Sequence, residues 1–259
     1  MRLAVLSPLN RSGCSVVTTM LAQGAALTQD WKTVVTYTSK ARTLPVYLNL
    51  LEYTEDRTRS ISQVVKLLQA KAISSEELDE FAIKVSPNFY LMDTVSETIT
   101  NEEALMVQKH VYTNITADLV LCDISEPIED QSAQELMEVS DAVCFIVNPD
   151  NVSIEALQAW KESEYWPKDK PVFITINRYD ESIIGVRPYA KRIGFAPKNT
   201  CTLHYNPFIT KSCNEYFLSE IVPYCYDNKD PRVINIRNDI KQLMSWLCAL
   251  TGRKQKWEK

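Results

Sequence analysis

The first segment of the chain that could do chemistry is a strand, a polar loop and a helix in direct succession. The apolar run Arg2–Ser7 leads into the small and polar residues 8–15, and the helical pattern Val16–Thr28 follows. Loop N–H groups and the positive end of a helix dipole attract anions. The segment therefore predicts a phosphate-binding unit, although the same pattern also occurs in α/β proteins that bind no phosphate. Its loop holds a single glycine, Gly13, whereas phosphate loops usually rely on several.

Two later apolar runs carry polar side chains at their ends. The run Asp118–Asp123 ends in a carboxylate, and the run Pro171–Asn177 ends in an amide that Arg178 follows. Carboxyl ends of parallel strands meet at one edge of a sheet, so we expect these side chains beside the loop. Asp123 could hold Mg²⁺ there through water. Each side chain could equally be a strand-end cap or a turn residue.

The elements that must position these residues alternate along the chain. Short apolar runs predict buried strands at Arg2–Ser7, Thr33–Thr38, Phe89–Asp93, Asp118–Asp123, Ala142–Asn148, Pro171–Asn177 and Thr200–His204. Helical patterns lie at Val16–Thr28, Ile61–Ala70, Ser75–Lys84, Glu102–Tyr112, Gln131–Val139, Ser153–Lys161, Pro188–Gly194 and Val233–Leu250. The alternation predicts an α/β fold, with one mostly parallel wound sheet covered by helices on both faces. We expect one domain over residues 1–252 and a basic tail over residues 253–259.

The loop resembles the deviant P-loop of the MinD/ParA ATPases, a group of the SIMIBI class, whose pattern is K-G-G-x-G-K-[ST]-[ST]. Laid on that pattern, the chain has Arg11 for the first lysine, Ser12 and Gly13 for the glycine pair, Cys14 next, Ser15 for the third glycine, Val16 for the phosphate lysine, Val17 for the magnesium hydroxyl, and then Thr18. The resemblance implies a degenerate Walker A motif, in which the lysine and the hydroxyl are both replaced by valine.

Later segments resemble the same family in the same order. The stretch Ala117–Pro127 is similar to the Walker B region and implies Asp123 as its magnesium carboxylate. The stretch Pro171–Asp180 is similar to the strand that ends in N-[RK], which implies Asn177 and Arg178 on the adenine side. Pro207 matches the proline turn beside the base. The second strand departs from the family, because its end, Val35–Lys40, holds no carboxylate.

This resemblance predicts a degenerate MinD/ParA-like ATPase. Without the lysine, the hydroxyl and the second-strand aspartate, we expect ATP and Mg²⁺ to bind weakly or not at all and hydrolysis to be negligible. The family implies a cytoplasmic homodimer that organises or adapts a protein cargo of pilus, secretion, partition or conjugation machinery. The TadZ branch is similar in its irregular P-loops, but its members usually carry an additional N-terminal receiver-like domain.

Two other functions remain open from the sequence. The chain could be an active ATPase with an atypical loop, if a carboxylate or a lysine enters the site from elsewhere in the fold. Lys40 and Arg42 lie near the end of the second strand. It could also be a non-nucleotide ligand-binding or nucleic-acid-binding module on the same fold.

Composition limits the possible partners. The formal net charge is −5, which argues against strong DNA binding. Seven scattered cysteines without metal-ligand spacing predict reduced thiols. The apolar and basic segment from Ser245 onward could touch a membrane peripherally, but the packing of Leu243, Leu247 and Leu250 on the sheet is the competing interpretation.

Overall fold

The computed structural model describes residues 1–54, 61–95, 99–182, 185–228 and 230–256. Residues 257–259, the end of the predicted basic tail, lie outside the described residues. The described chain forms one sheet with helices packed on both of its faces.

Eight strands build the sheet, in the order β3-β4-β2-β5-β1-β6-β7-β8. They are β1 (Arg2–Leu6), β2 (Thr33–Tyr37), β3 (Ile83–Ser86), β4 (Phe89–Leu91), β5 (Leu119–Asp123), β6 (Ala142–Val147), β7 (Val172–Tyr179) and β8 (Thr200–His204). All neighbouring pairs are parallel except β3 and β4. The seven predicted strands are all present, and the predicted mostly parallel α/β fold is confirmed.

Alternate residues of each central strand face opposite layers of helices. In β1, Leu3 and Val5 belong to one buried cluster, whereas Ala4 and Leu6 belong to the other. Strands β2, β5 and β6 are buried at every position. This explains why their sequences are apolar runs rather than alternating patterns.

Twelve α-helices surround the sheet in the described part of the chain. They are α1 (Cys14–Gln29), α2 (Thr43–Tyr47), α3 (Leu51–Thr54), α4 (Ile61–Gln69), α5 (Ser75–Glu80), α6 (Asn101–Asn114), α7 (Gln131–Glu138), α8 (Asn151–Glu162), α9 (Val186–Ile193), α10 (Pro207–Asn214), α11 (Ile221–Asp227) and α12 (Ile234–Thr251). Helices α2, α3, α10 and α11 were not predicted from the sequence. They have only four to eight residues, about one to two turns, and so offer few repeats of the helical pattern.

One predicted helix is wrong at its carboxyl end. The interval Ser75–Lys84 was expected to be helical throughout, but α5 ends at Glu80 and Ile83–Ser86 forms the edge strand β3. Asn88 has a φ of 62° in the tight turn to β4. That turn lets the chain double back, and pairing with β4 then prevails over the local helical pattern.

The last helix packs on the sheet with its apolar face. Leu243, Met244 and Leu247 are completely buried, and Trp246 stacks on Phe173 of β7 with ring centroids 3.3 Å apart. At Gly24 of α1, an added Cβ would lie 2.9 Å from Met244 Cε, so the two helices approach closely here and a larger residue would require the Met244 side chain to move. Of the three leucines whose packing was the alternative to membrane contact, Leu243 and Leu247 are core residues and Leu250 is partly buried against the core.

The beginning of the tail is also tied to the protein. Arg253 forms an ion pair with Asp118 at 2.8 Å and lies over the ring of Trp31. Lys256 lies 3.7 Å from Asp30, and its backbone N–H donates to Gln29. Among the residues that the structure describes, no helix is both long and apolar enough to span a bilayer.

Candidate functional site

A cleft of about 720 Å³ lies at the carboxyl ends of the central strands. The loop after β1 forms one end of the cleft, and the segment after β8 forms the other. Its lining includes the predicted residues Arg11, Ser12, Gly13, Cys14, Ser15, Val16, Asp123, Asn177 and Arg178. The sheet therefore brings the loop, the carboxylate and the amide together as the sequence indicated.

The loop is held in place by a contact with β7. Gly13, the N-cap residue of α1, has a φ of 90°, a conformation that favours glycine. Asn177 Nδ2 donates to the carbonyl oxygen of Ser12 at 2.7 Å. A Cβ at Gly13 would lie 2.2 Å from the same Nδ2 atom, so the contact requires glycine. The amide that the resemblance assigned to the adenine side therefore contacts and fixes the loop.

Ser15, at the second position of α1, contacts the carboxylate at the end of β5. Its hydroxyl donates to Asp123 Oδ2 at 2.6 Å. Asp123 is only 4% exposed, and burial raises the pKa of its carboxyl from 3.8 to about 6, an effect that the Ser15 bond opposes and Glu126 reinforces. A hydroxyl and a carboxylate therefore meet at the foot of the cleft.

The residues on either side of Ser15 provide no positive charge. Cys14 lines the cleft, and burial raises the pKa of its thiol well above the ordinary value, so the thiol is neutral. Val16 also lines the cleft and packs against the core. Val17 and Thr18 are completely buried beneath the loop and do not reach the cleft.

The charged residues that follow the second strand point away from the cleft. Tyr37 donates its hydroxyl to Asp93 at 2.5 Å, and Arg42 forms an ion pair with the same carboxylate. Lys40 Nζ donates to Asn101 at 2.9 Å. The cleft receives Ser39, Ala41 and Thr43 from this segment, so neither Lys40 nor Arg42 lines it.

The far end of the cleft lies between β7, β8 and α10. Arg178 lines it with a φ of 53°, together with Tyr47 and Cys213. Pro207 is exposed and begins α10, and among the described lining residues its neighbour Asn206 is present but Pro207 is not. Asn206 caps α10 by accepting the N–H of Phe208.

A histidine and an aspartate, which the sequence did not single out, complete the far end. His204 lines the cleft at the end of β8, and its Nδ1 lies 2.8 Å from Asp239 Oδ1 of α12. The backbone N–H of His204 donates to Asp239 Oδ2 at 2.7 Å. The bond to Asp239 raises the pKa of His204 above its ordinary value of 6.5. In the sequence, the available signal for this pair was Asp239, an acidic residue within the apolar pattern of the last helix.

The charge of the cleft contrasts with that of the whole chain. Arg11, Arg178 and His204 are the basic residues in its described lining, and Asp123 is the acidic one. The protein as a whole has a formal net charge of −5. The lining of the cleft therefore favours an anionic ligand more than the overall charge of the chain suggests.

No family model and no curated protein sequence matches the chain. Solved structures do match it along almost its whole length. The MinC:MinD cell division complex of Aquifex aeolicus matches with 13% identity and a TM-score of 0.69, covering 100% of this chain and 98% of that one. MinD of Pyrococcus horikoshii, solved with Mg-ADP, matches with 14% identity and a TM-score of 0.67, and 97% of each chain is covered.

Partition proteins give a similar result. A putative plasmid partition protein of Borrelia burgdorferi bound to AMPPNP has 12% identity and a TM-score of 0.66, covering 96% of this chain and 98% of that one. A ParA family ATPase of Chlorobium tepidum has 17% identity and a TM-score of 0.65, with coverage of 95% and 97%. The strand order, the site at the strand ends and these matches lead to one conclusion: the chain has the fold of the MinD and ParA ATPases.

Proposed function

We propose that the protein is a degenerate MinD/ParA-like ATPase that binds nucleotide weakly, hydrolyses it negligibly and acts as a spatial organiser or adaptor. The observation that carries the proposal is the neutral thiol of Cys14 at the first position of α1. In the revised alignment described next, this is the position at which a P-loop has its lysine. The loop retains its shape and its amides but has lost the cation that attracts the phosphates.

The structure supports a revised alignment of the loop. In the pattern, the lysine and the hydroxyl residue follow the last glycine as the helix begins. Here the helix begins at Cys14, directly after Gly13 with its positive φ. This favours Gly13 as the third glycine, Cys14 at the lysine position and Ser15 at the hydroxyl position, two residues before the sequence alignment. The sequence alignment places Arg11 at the first lysine, whereas the revised alignment places Leu9 there.

The revised alignment restores the hydroxyl ligand for magnesium, but the phosphate lysine is still absent. The hydroxyl of Ser15 and the carboxylate of Asp123 lie 2.6 Å apart, a donor set that fits Mg²⁺ carried in with a nucleotide. When bound, Mg²⁺ neutralises charge on the phosphates. Arg11 and the amides after it would hold the phosphate oxygens. Cys14 contributes no charge, and the second strand contributes no carboxylate to position an attacking water.

The missing lysine sets the scale of the loss. A charge-assisted hydrogen bond contributes roughly 1.5–3 kcal/mol, so its absence weakens nucleotide affinity by about 10- to 100-fold. A site with a dissociation constant of about 1 μM would move to roughly 10–100 μM. Titration calorimetry of the natural chain with Mg-ATP should give at most weak binding, with a dissociation constant of roughly 100 μM or higher. A dissociation constant in the low micromolar range, or steady phosphate release, would contradict the proposal.

The alternative of an active ATPase with an atypical loop loses its support. The basic residues that the sequence places near the site, Lys40 and Arg42, are bonded to Asn101 and Asp93 and do not line the cleft. A nucleic-acid-binding module is disfavoured by the net charge of −5.

The organising role rests on the shared fold. One structural neighbour is a MinC:MinD cell division complex, and others are plasmid partition proteins. By analogy, this chain would form a homodimer in the cytoplasm that positions a protein cargo. A fluorescent fusion expressed in the native cells should form discrete foci or a polar cap. Uniform fluorescence throughout the cytoplasm would argue against the organising role.

A further inference from the structure

We propose that His204 reads the heterocycle of a nucleotide at the far end of the cleft, with Nε2 accepting a hydrogen bond when the ring is neutral and donating one when it is protonated. The inference rests on the proposed function, because it requires that the cleft retain weak nucleotide binding. It adds a residue that determines specificity, together with a dependence of that specificity on pH.

The first observation is the position of His204. Its strand, β8, is the third strand from β1 in the sheet order, and neighbouring strands lie about 4.8 Å apart. The end of β8 is therefore roughly 14 Å from the end of β1, and the loop after β1 reaches toward it as far as Asn177 of β7. Both ends belong to one cleft. A ligand with phosphates at the loop would extend its heterocycle toward His204.

The second observation is that the ring is held by one nitrogen only. Nδ1 contacts both oxygens of Asp239, at 2.8 and 3.0 Å, and the ring edge packs against Tyr179 with centroids 5.1 Å apart. Asp239 is 2% exposed and also accepts the backbone N–H of His204, which fixes the direction of the pair. Among the described residues, Nε2 has no hydrogen-bond partner.

The anchored Nδ1 determines what Nε2 can do. A carboxylate accepts hydrogen bonds, so the Nδ1 proton stays on the ring beside Asp239. In the neutral ring Nε2 therefore carries a lone pair, and in the protonated ring it carries a proton. The tautomer is thus fixed by the partner of Nδ1, and only Nε2 changes its role.

The charged groups around His204 move this change to a pH above that of a free imidazole. Asp239 acts on it from α12, Asp180 and Glu181 act from the segment after β7, and all three raise its pKa above 6.5. Arg178 of β7 and Tyr205 line the same end of the cleft. Below the raised pKa the ring donates, and above it the ring accepts.

Two nucleotides that differ at one position can reveal the change. ATP presents an amino group at position 6 of the purine, whereas ITP presents a carbonyl oxygen there. A protonated His204 favours ITP, and a neutral His204 favours ATP. Between pH 6 and pH 9 we expect the ratio of their dissociation constants to change by about five- to tenfold in favour of ATP.

The chain contains only two histidines, which makes imidazole NMR decisive. His110 of α6 serves as the internal control, because it lies outside the cleft lining and burial lowers its pKa. Millimolar Mg-ATP or Mg-ITP should shift the His204 nitrogens and leave those of His110 unchanged. His204→Gln should abolish the pH dependence of the ratio, with thermal unfolding confirming that the variant is folded. Asp239→Asn should move the His204 midpoint to lower pH.

The possible failures are distinguishable. If nucleotide shifts the loop amides of residues 10–15 but not His204, the inference is wrong and the proposed function stands. If His204 shifts while the ATP/ITP ratio is constant with pH, the switch is wrong. If neither end responds to millimolar nucleotide, both the inference and the residual nucleotide site are wrong.

Discussion

The two ends of the cleft differ in how their polar groups are used. At the loop end they are paired within the protein: Asn177 holds the carbonyl of Ser12, and Ser15 holds Asp123. At the far end His204 is fixed through one nitrogen and keeps the other without a partner among the described residues. The loop end therefore uses its polar groups to hold its own shape, whereas the far end keeps one ring nitrogen available to a ligand.

The largest effect is expected at Gly13, where the loop is most tightly constrained. Gly13→Ala places a Cβ 2.2 Å from Asn177 Nδ2 in a backbone with a φ of 90°. Left-handed strain together with the lost amide bond should lower the free energy of unfolding by about 3–4 kcal/mol in denaturant titrations. Gly252→Ala is the matched control, since its φ is 65° with no atom within 4 Å, and should cost only about 1 kcal/mol. Equal costs would contradict the proposed constraint.

The next effect is the pH dependence that Asp123 produces. Its pKa rises from 3.8 to about 6 on folding. Between pH 3.8 and about pH 6, the folded state therefore holds a proton on Asp123 that the unfolded state has released. Stability is therefore lost as pH rises through about 6, by about 3 kcal/mol at 1.4 kcal/mol per pKa unit. Asp123→Asn should remove this slope and be more stable than the natural chain at pH 7.5. An unchanged slope between pH 4 and pH 7 would show that the carboxyl titrates normally.

A smaller effect is expected at the far end. The pKa of His204 is raised in the fold, so its pairing with Asp239 stabilises the protein below pH 6.5 and is lost as pH rises through the folded value. Asp239→Asn should cost about 2 kcal/mol at pH 6 and clearly less at pH 9, as measured by chemical unfolding. A cost that is independent of pH would assign Asp239 a packing role only.

The sequence was informative where burial alone determines structure. All seven predicted strands are present. Helices cover both faces of the sheet, so successive residues such as Val34 and Val35 are both buried, and such strands appear in the sequence as continuous apolar runs. Strand β3 was missed because Ile83–Ser86 is short and pairs only with its neighbour β4. Its identity depends on a contact that local patterns do not encode.

The site was predictable in its members but not in its contacts. Six of the eight loop residues named from the sequence, together with Asp123, Asn177 and Arg178, line one cleft. The register of the loop was not readable, since it depends on which residue begins α1 and on the positive φ of Gly13. The pairing of His204 with Asp239 joins residues 35 positions apart and requires the packing of α12 on β8.

The most direct test of the account is to return the missing charge to the loop. Cys14→Lys and Val16→Lys each place an amine on a residue that lines the cleft, one at the position favoured by the structure and one at the position from the sequence alignment. Affinity for Mg-ATP, measured by titration calorimetry, should rise about tenfold or more in Cys14→Lys and remain unchanged in Val16→Lys. No gain in Cys14→Lys, or a larger gain in Val16→Lys, would contradict the account.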